Sequence, residues 1–136
     1  MIVVDSNILA YLYLPSEFSS QAESLLAEDP RWVAPVLWRS ELRNVLALYI
    51  RKDLLTLEQA YTVQTEAETL LADAEYQVPS LDVMRLVESS DCSAYDCEFV
   101  ALAKRLNVKL VTADKKILKA FPAIAVTLEQ ALTKQP

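Results

Sequence analysis

Two residue types are missing altogether: the 136 residues include no glycine and no histidine. Without glycine the chain cannot carry the usual phosphate-binding loop, dinucleotide fingerprint or glycine-flanked nucleophile turn. Without histidine, Ser-His-Asp and Cys-His nucleophile systems, histidine-liganded zinc and the commonest general base are excluded together. Cysteine is scarce. Cys92 and Cys97 are too few for a four-ligand zinc site or a disulfide framework and read as buried or half-buried free thiols. No apolar run approaches the ~20 residues of a membrane span. The opening Met1-Ile2-Val3-Val4-Asp5 shows neither a basic segment nor a long apolar stretch of the signal-peptide kind. A cytoplasmic location and no membrane partner are expected. Any catalysis must use carboxylates, hydroxyls, lysine, tyrosine or a metal.

What is present is a foldable chain, 53% hydrophobic and 24% charged. That suffices for one domain over residues 1–136 with a sizeable core. The net charge of −6 by itself speaks against a nucleic-acid binder, but it is unevenly placed. Residues 53–103 hold eleven acids and a single base, Arg85, whereas the rest of the chain holds eight acids and twelve bases. Two basic groups stand out: Arg39, Arg43, Arg51 and Lys52, and then Lys104, Arg105, Lys109, Lys115, Lys116 and Lys119. Either group can contact phosphates or simply present a solvated helix face.

Short apolar runs alternate with longer amphipathic ones. Ile2–Val4, Trp32–Ala34, Tyr76–Val78, Lys109–Thr112 and Ile124–Val126 read as strands. Helices are expected over 6–14, 19–29, about 35–52, 57–74, 81–88, 93–106, 115–121 and 128–133, with Thr56 placed to cap the fourth. Strands separated by helices imply an α/β fold with a parallel sheet and helices on both faces. Ligands of such sheets bind beyond the carboxyl ends of the strands.

Asp5 and Asp114 stand at two of those ends, where each also suits the N-cap of the next helix. Glu41 lies at the edge of the apolar arc formed by Trp38, Leu42, Val45, Leu46 and Tyr49, a costly place for an unpaired carboxylate. Asp96 flanks the expected apolar face of Tyr95, Phe99, Leu102 and Leu106 and doubles as a capping residue after Ser93. If these four acids converge, they cannot all remain ionised without a cation among them. Hard oxygen donors with no histidine select Mg²⁺ or Mn²⁺, and such sites serve phosphoryl transfer.

With those residues placed, the chain resembles the PIN-domain family over essentially its whole length, and within it the VapC-type toxin ribonucleases. The matching strings are Val4-Asp5-Ser6-Asn7-Ile8-Leu9, Ser40-Glu41-Leu42-Arg43-Asn44, Ala94-Tyr95-Asp96-Cys97, and Leu110-Val111-Thr112-Ala113-Asp114. The resemblance implies a three-layer α/β/α sandwich with four or five parallel strands. It also implies a Mg²⁺- or Mn²⁺-dependent endoribonuclease that is a homodimer and is inhibited by a small antitoxin. Asp5, Glu41, Asp96 and Asp114 then become catalytic acids and metal ligands, with Ser6, Asn7 and Thr112 in support. Arg39, Arg43, Lys115 and Lys116 are the expected RNA contacts. The chief alternative is a catalytically silent PIN-like module that binds a protein partner. A receiver-type domain would want an acid pair after the first strand, and a structure-specific DNA nuclease would need insertions absent here.

Overall fold

The apolar run Ile2–Val4 forms β1, fully buried at the centre of a five-stranded sheet. The computed structural model describes residues 1–133. In chain order these form α1 (Ser6–Tyr13), α2 (Ser19–Glu28), β2 (Trp32–Pro35), α3 (Trp38–Arg51), α4 (Leu57–Leu70) and β3 (Glu75–Tyr76). Then follow α5 (Ser80–Glu88), α6 (Ala94–Leu106), β4 (Leu110–Val111), α7 (Lys115–Ala120), β5 (Ala125–Val126) and α8 (Leu128–Leu132). All four strand pairings are parallel, in the order β3-β2-β1-β4-β5. The expected α/β sandwich with a parallel sheet is therefore what the chain forms. No helix among the described residues is long and apolar enough to cross a membrane.

Both faces of β1 and β4 must be covered, since their residues are apolar without alternation. The most buried helix is α6, which packs on β1, β2 and β4 and carries α5 beside it. A second group, α1 to α4 with α8, is held together by contacts of α2 with α1 and α8 and of α3 with α1 and α4. Trp38, Leu42 and Leu46 are the buried stripe of α3, so the arc read from the sequence is the one that packs. Thr56 and Gln59 close a capping box on α4. Cys92 and Cys97 are buried free thiols, and burial pushes both thiols above their usual range.

The differences from expectation have local causes. Pro35 ends β2 rather than opening α3, because the chain keeps pairing with β3 through Val36 N–H donating to the Tyr76 carbonyl. The fourth helix stops at Leu70 instead of 74, since the chain must reverse into β3, and Asp73 makes that reversal at φ 63°. Asp53 and Asn107 turn the ends of α3 and α6 in the same left-handed conformation, at φ 58° and 56°. In a chain without glycine these positions fall to Asp and Asn, the side chains that best tolerate it. Tyr95 departs most from the sequence reading. It is 63% exposed, while Phe99 and Leu102 of the same expected face are buried.

Candidate active site

The register of the sheet assembles the site. Val4 pairs with Val111, so the residues that follow the two strands, Asp5 and Thr112, emerge side by side. Asp5 N–H donates to the Val111 carbonyl at 3.0 Å, and the Thr112 hydroxyl donates to Asp5 Oδ2 at 2.6 Å. Asp5 is buried, accepts from Ser6 N–H at 2.8 Å and caps α1. The Thr112 hydroxyl in turn accepts from Asp114 N–H at 3.0 Å. Asp114 Oδ1 then caps α7 by accepting from the Lys116 and Ile117 amides. Capping and pocket lining are thus compatible roles for both strand-end acids.

The helical acids join from two other elements. Glu41 on α3 accepts from the Ser6 hydroxyl at 2.7 Å through Oε1. Asp96 sits in the first turn of α6, whose N-cap Ser93 accepts from the Asp96 amide at 3.0 Å. Asn7 ties the loops together, accepting from Ala113 N–H at 3.2 Å and donating to Asp5 Oδ2 at 3.5 Å. A continuous polar chain therefore runs Glu41, Ser6, Asp5, Thr112, Asp114. All four acids line one open pocket of about 530 Å³, together with Ser6, Asn7, Leu37, Ser40, Asn44, Val45 and Tyr95.

The orientation of α3 comes from outside the pocket. Glu75 on β3 accepts from Trp38 Nε1 at 2.7 Å and from the Arg39 guanidinium at 2.6 and 2.8 Å. This fork fixes the first turn of α3, and Glu41 follows within that turn. The Arg39 hydrogen bonds hold the Glu75 carboxyl below its usual range.

The electrostatics of the pocket are those of crowded acids. Burial pushes the Asp5 carboxyl up; the hydrogen bonds from Thr112 and Ser6 oppose that, and the charges of Asp96 and Asp114 add to it. Burial also raises Glu41, against the Ser6 hydrogen bond and with the charges of Asp5, Asp96 and Glu98. Asp96 is raised by burial and then by Asp114. Among the described residues none of the four pocket acids forms an ion pair. Nor are any three Asp, Glu or Cys side chains there arranged to hold a metal ion as they stand. The donor set nevertheless suits one: the carboxylates and hydroxyls that line the pocket are hard oxygen donors, and neither cysteine nor methionine lines it. Glu41 Oε2 and Asp114 Oδ2 accept no hydrogen bond among the described residues and remain open to a cation.

The basic residues divide. Arg39 is committed to Glu75 and to Glu68, at 3.3 Å, and Arg43 approaches Glu68 at 3.9 Å. Neither lines the pocket. Lys115 and Lys116 line a separate cleft of about 550 Å³ with Lys119 and Ser89 to Asp91. That cleft adjoins the pocket through Asp114, which lines the pocket and accepts from the Lys116 amide at 2.8 Å. Glu98, Ser40, Asn44 and Tyr95 were not singled out as site residues from the sequence. The three pocket residues among them were marked only by their place in the matching strings, one turn or less from Glu41 or Asp96.

Comparison with known proteins agrees with this fold. The PIN domain profile matches residues 2–122. Ribonuclease VapC3 of Pyrobaculum aerophilum is 30% identical over 126 residues, covering 90% of this chain and 96% of that protein. The crystal structure of PAE2754 from Pyrobaculum aerophilum superposes with a TM-score of 0.77 at 20% identity, covering 96% of this chain and 92% of that one. FitAcB from Neisseria gonorrhoeae follows at 0.73 and 17%, covering 95% and 99%. The two solved structures share the fold.

Proposed function

This chain belongs to the PIN domain family, and on that footing we propose that it is a Mg²⁺- or Mn²⁺-dependent endoribonuclease, the toxin of a toxin–antitoxin pair. The observation that carries this reading is the pocket itself: four acids from four separate elements line it with no lysine or arginine among them, and burial together with neighbouring charge pushes Asp5, Glu41 and Asp96 toward neutrality. A cation among Asp5, Glu41, Asp96 and Asp114 offsets the mutual repulsion of carboxylates brought this close. When bound, the metal supplies Lewis-acid activation of water and neutralises charge on the phosphodiester.

The chain's own contribution is placement. Asp5 is fixed by Ser6 N–H and Thr112, so its charge cannot swing away. Ser6 aims Glu41, and the Thr112 hydroxyl holds the Asp114 loop against Asp5. Such outer partners are worth about 10–100-fold in activity or metal affinity at comparable sites. Partners in this reading are RNA, a small antitoxin protein covering the pocket, and a second copy of the chain. The exposed apolar residues Leu48, Leu54, Leu57 and Tyr61 at the α3–α4 turn support a protein partner.

The test is cleavage of a mixed pool of structured and unpaired RNAs by protein freed of any partner. Cleavage with Mg²⁺ or Mn²⁺ that stops in EDTA is expected. A folded protein inert with either metal overturns the reading and leaves the silent protein-interaction module in its place.

The lysine cleft gives a second expected result. Replacing Lys115, Lys116 and Lys119 together by Ala removes up to three phosphate contacts. The slope of log affinity against log salt for single-stranded RNA then becomes shallower by about 2. Salt titrations of binding measure this directly, and an unchanged slope removes the cleft from the RNA path.

A further inference from the structure

Tyr95 stands where a core residue was expected and is instead 63% exposed at the pocket it lines. Its helix neighbours explain the position. Phe99, one turn on, is buried, so Tyr95 extends the apolar stripe of α6 past the edge of the core into the lining of the pocket that holds the carboxylates. Across the pocket lie Leu37 and Val45, half-buried on the α3 side. The pocket thus combines a set of acids with an apolar wall and an aromatic rim. A hydrated cation and a phosphate make no use of apolar lining; the part of a nucleic acid that does is the flat face of a base.

We propose that Tyr95 is the stacking platform for a nucleobase beside the scissile phosphate, with Asn44 at that base's edge. This rests on the nuclease reading above and adds substrate-contacting residues to it. In an A-form duplex both faces of each base are covered by its neighbours, so a base reaches the Tyr95 ring only from a single strand, loop or bulge. Stacking on an aromatic side chain tolerates any base, because every base has a π-face. Ser40 and Asn44 lie one turn apart on α3 and line the same pocket. Among the described residues their side chains make no hydrogen bond. The Asn44 amide offers both a donor and an acceptor, which assigns it the edge of the stacked base.

The experiment uses the Asp5→Asn chain with Mg²⁺, so that bound RNA is not cut, and an RNA of about ten nucleotides. A fluorescent adenine analogue is placed at successive positions, and each RNA is used alone or annealed to its complement. One position is expected to show quenched fluorescence on binding. Adding Tyr95→Ala abolishes that quenching and weakens single-strand binding about ten-fold, whereas Tyr95→Phe and Tyr95→Trp retain both. The duplex binds weakly and is indifferent to the Tyr95 substitutions. Single-strand binding unaffected by Tyr95→Ala in a protein with unchanged melting overturns the proposal, as does duplex binding equal to single-strand binding.

Cleavage by the chain with native Asp5 separates this result from the parent reading. If RNA is cut but Tyr95→Ala binds and cuts normally, the stacking role fails alone. If Tyr95-dependent binding is seen but no metal supports cleavage, the nuclease reading fails alone.

Discussion

Asp5→Asn is expected to lower metal-dependent RNA cleavage by more than about a hundred-fold while leaving the protein folded. The floor comes from sites where the loss of a mere outer partner costs up to about that much. Asparagine is the informative replacement, because its carbonyl still accepts from Ser6 N–H, whereas alanine would orphan that amide and the Thr112 hydroxyl. The stability of the same variant carries a sign. Burial raises the Asp5 pKa in the folded chain, so ionising it costs more folded than unfolded. That cost is absent below the ordinary carboxylate value and complete above the raised one. Without metal, the native chain therefore loses stability as pH rises through the folded-state value, and Asp5→Asn does not. Melting in EDTA should show the variant gaining on the native chain with rising pH. Adding Mg²⁺ or Mn²⁺ should raise the native melting temperature and move the variant little, since only a folded site binds the ion. Full cleavage by Asp5→Asn, or identical melting behaviour of the two chains, contradicts this account of the pocket.

The largest expected loss of stability is at Trp38. Its ring is fully buried against the core and its Nε1 is bonded to Glu75. Truncation to Ala removes the ring and opens a cavity, costing about 3–5 kcal/mol, which lowers the melting temperature by roughly 10–17 °C in a domain of this size. Trp38→Phe keeps most of the bulk and loses the hydrogen bond, which costs about 1 kcal/mol. Glu75 stays paired with Arg39 in that variant, so α3 keeps its start, Glu41 keeps its place and cleavage should survive. Thermal melts of the two variants, with activity measured on the second, check both halves. A Trp38→Phe chain that is stable but inactive would mean that the fork on Glu75 positions Glu41 more tightly than the ring does.

Much of this architecture was legible in the residues. Asp5 directly ends one apolar run and Asp114 follows another, Leu110-Val111, by three residues, and a parallel sheet presents such ends together. Glu41 and Asp96 stood out because a carboxylate on the shoulder of an apolar arc is costly to leave unpaired. The limits of the strands were less legible, since β3, β4 and β5 have two residues each and end where a neighbour stops pairing. The pairing of Arg39 with Glu75 was not legible, because the two lie 36 positions apart, a distance no local pattern spans. Tyr95 was misread for a different reason. Helical periodicity counts a tyrosine as apolar, but it does not register that the helix begins at Ala94, where the core has already run out.

The span of the polar chain from Glu41 to Asp114 bears on how this protein comes into being. Thr112 reaches back 107 positions to Asp5, so the contact joins the first strand to one made near the end of synthesis. A ribosome-bound chain that has not yet delivered β4 has Asp5, Glu41 and Asp96 but neither Thr112 nor Asp114. Synthesis must therefore pass the last acid before the pocket can close. Under the proposed nuclease reading, a half-made copy lacks two of the site's residues and is expected to leave the RNA around it uncut.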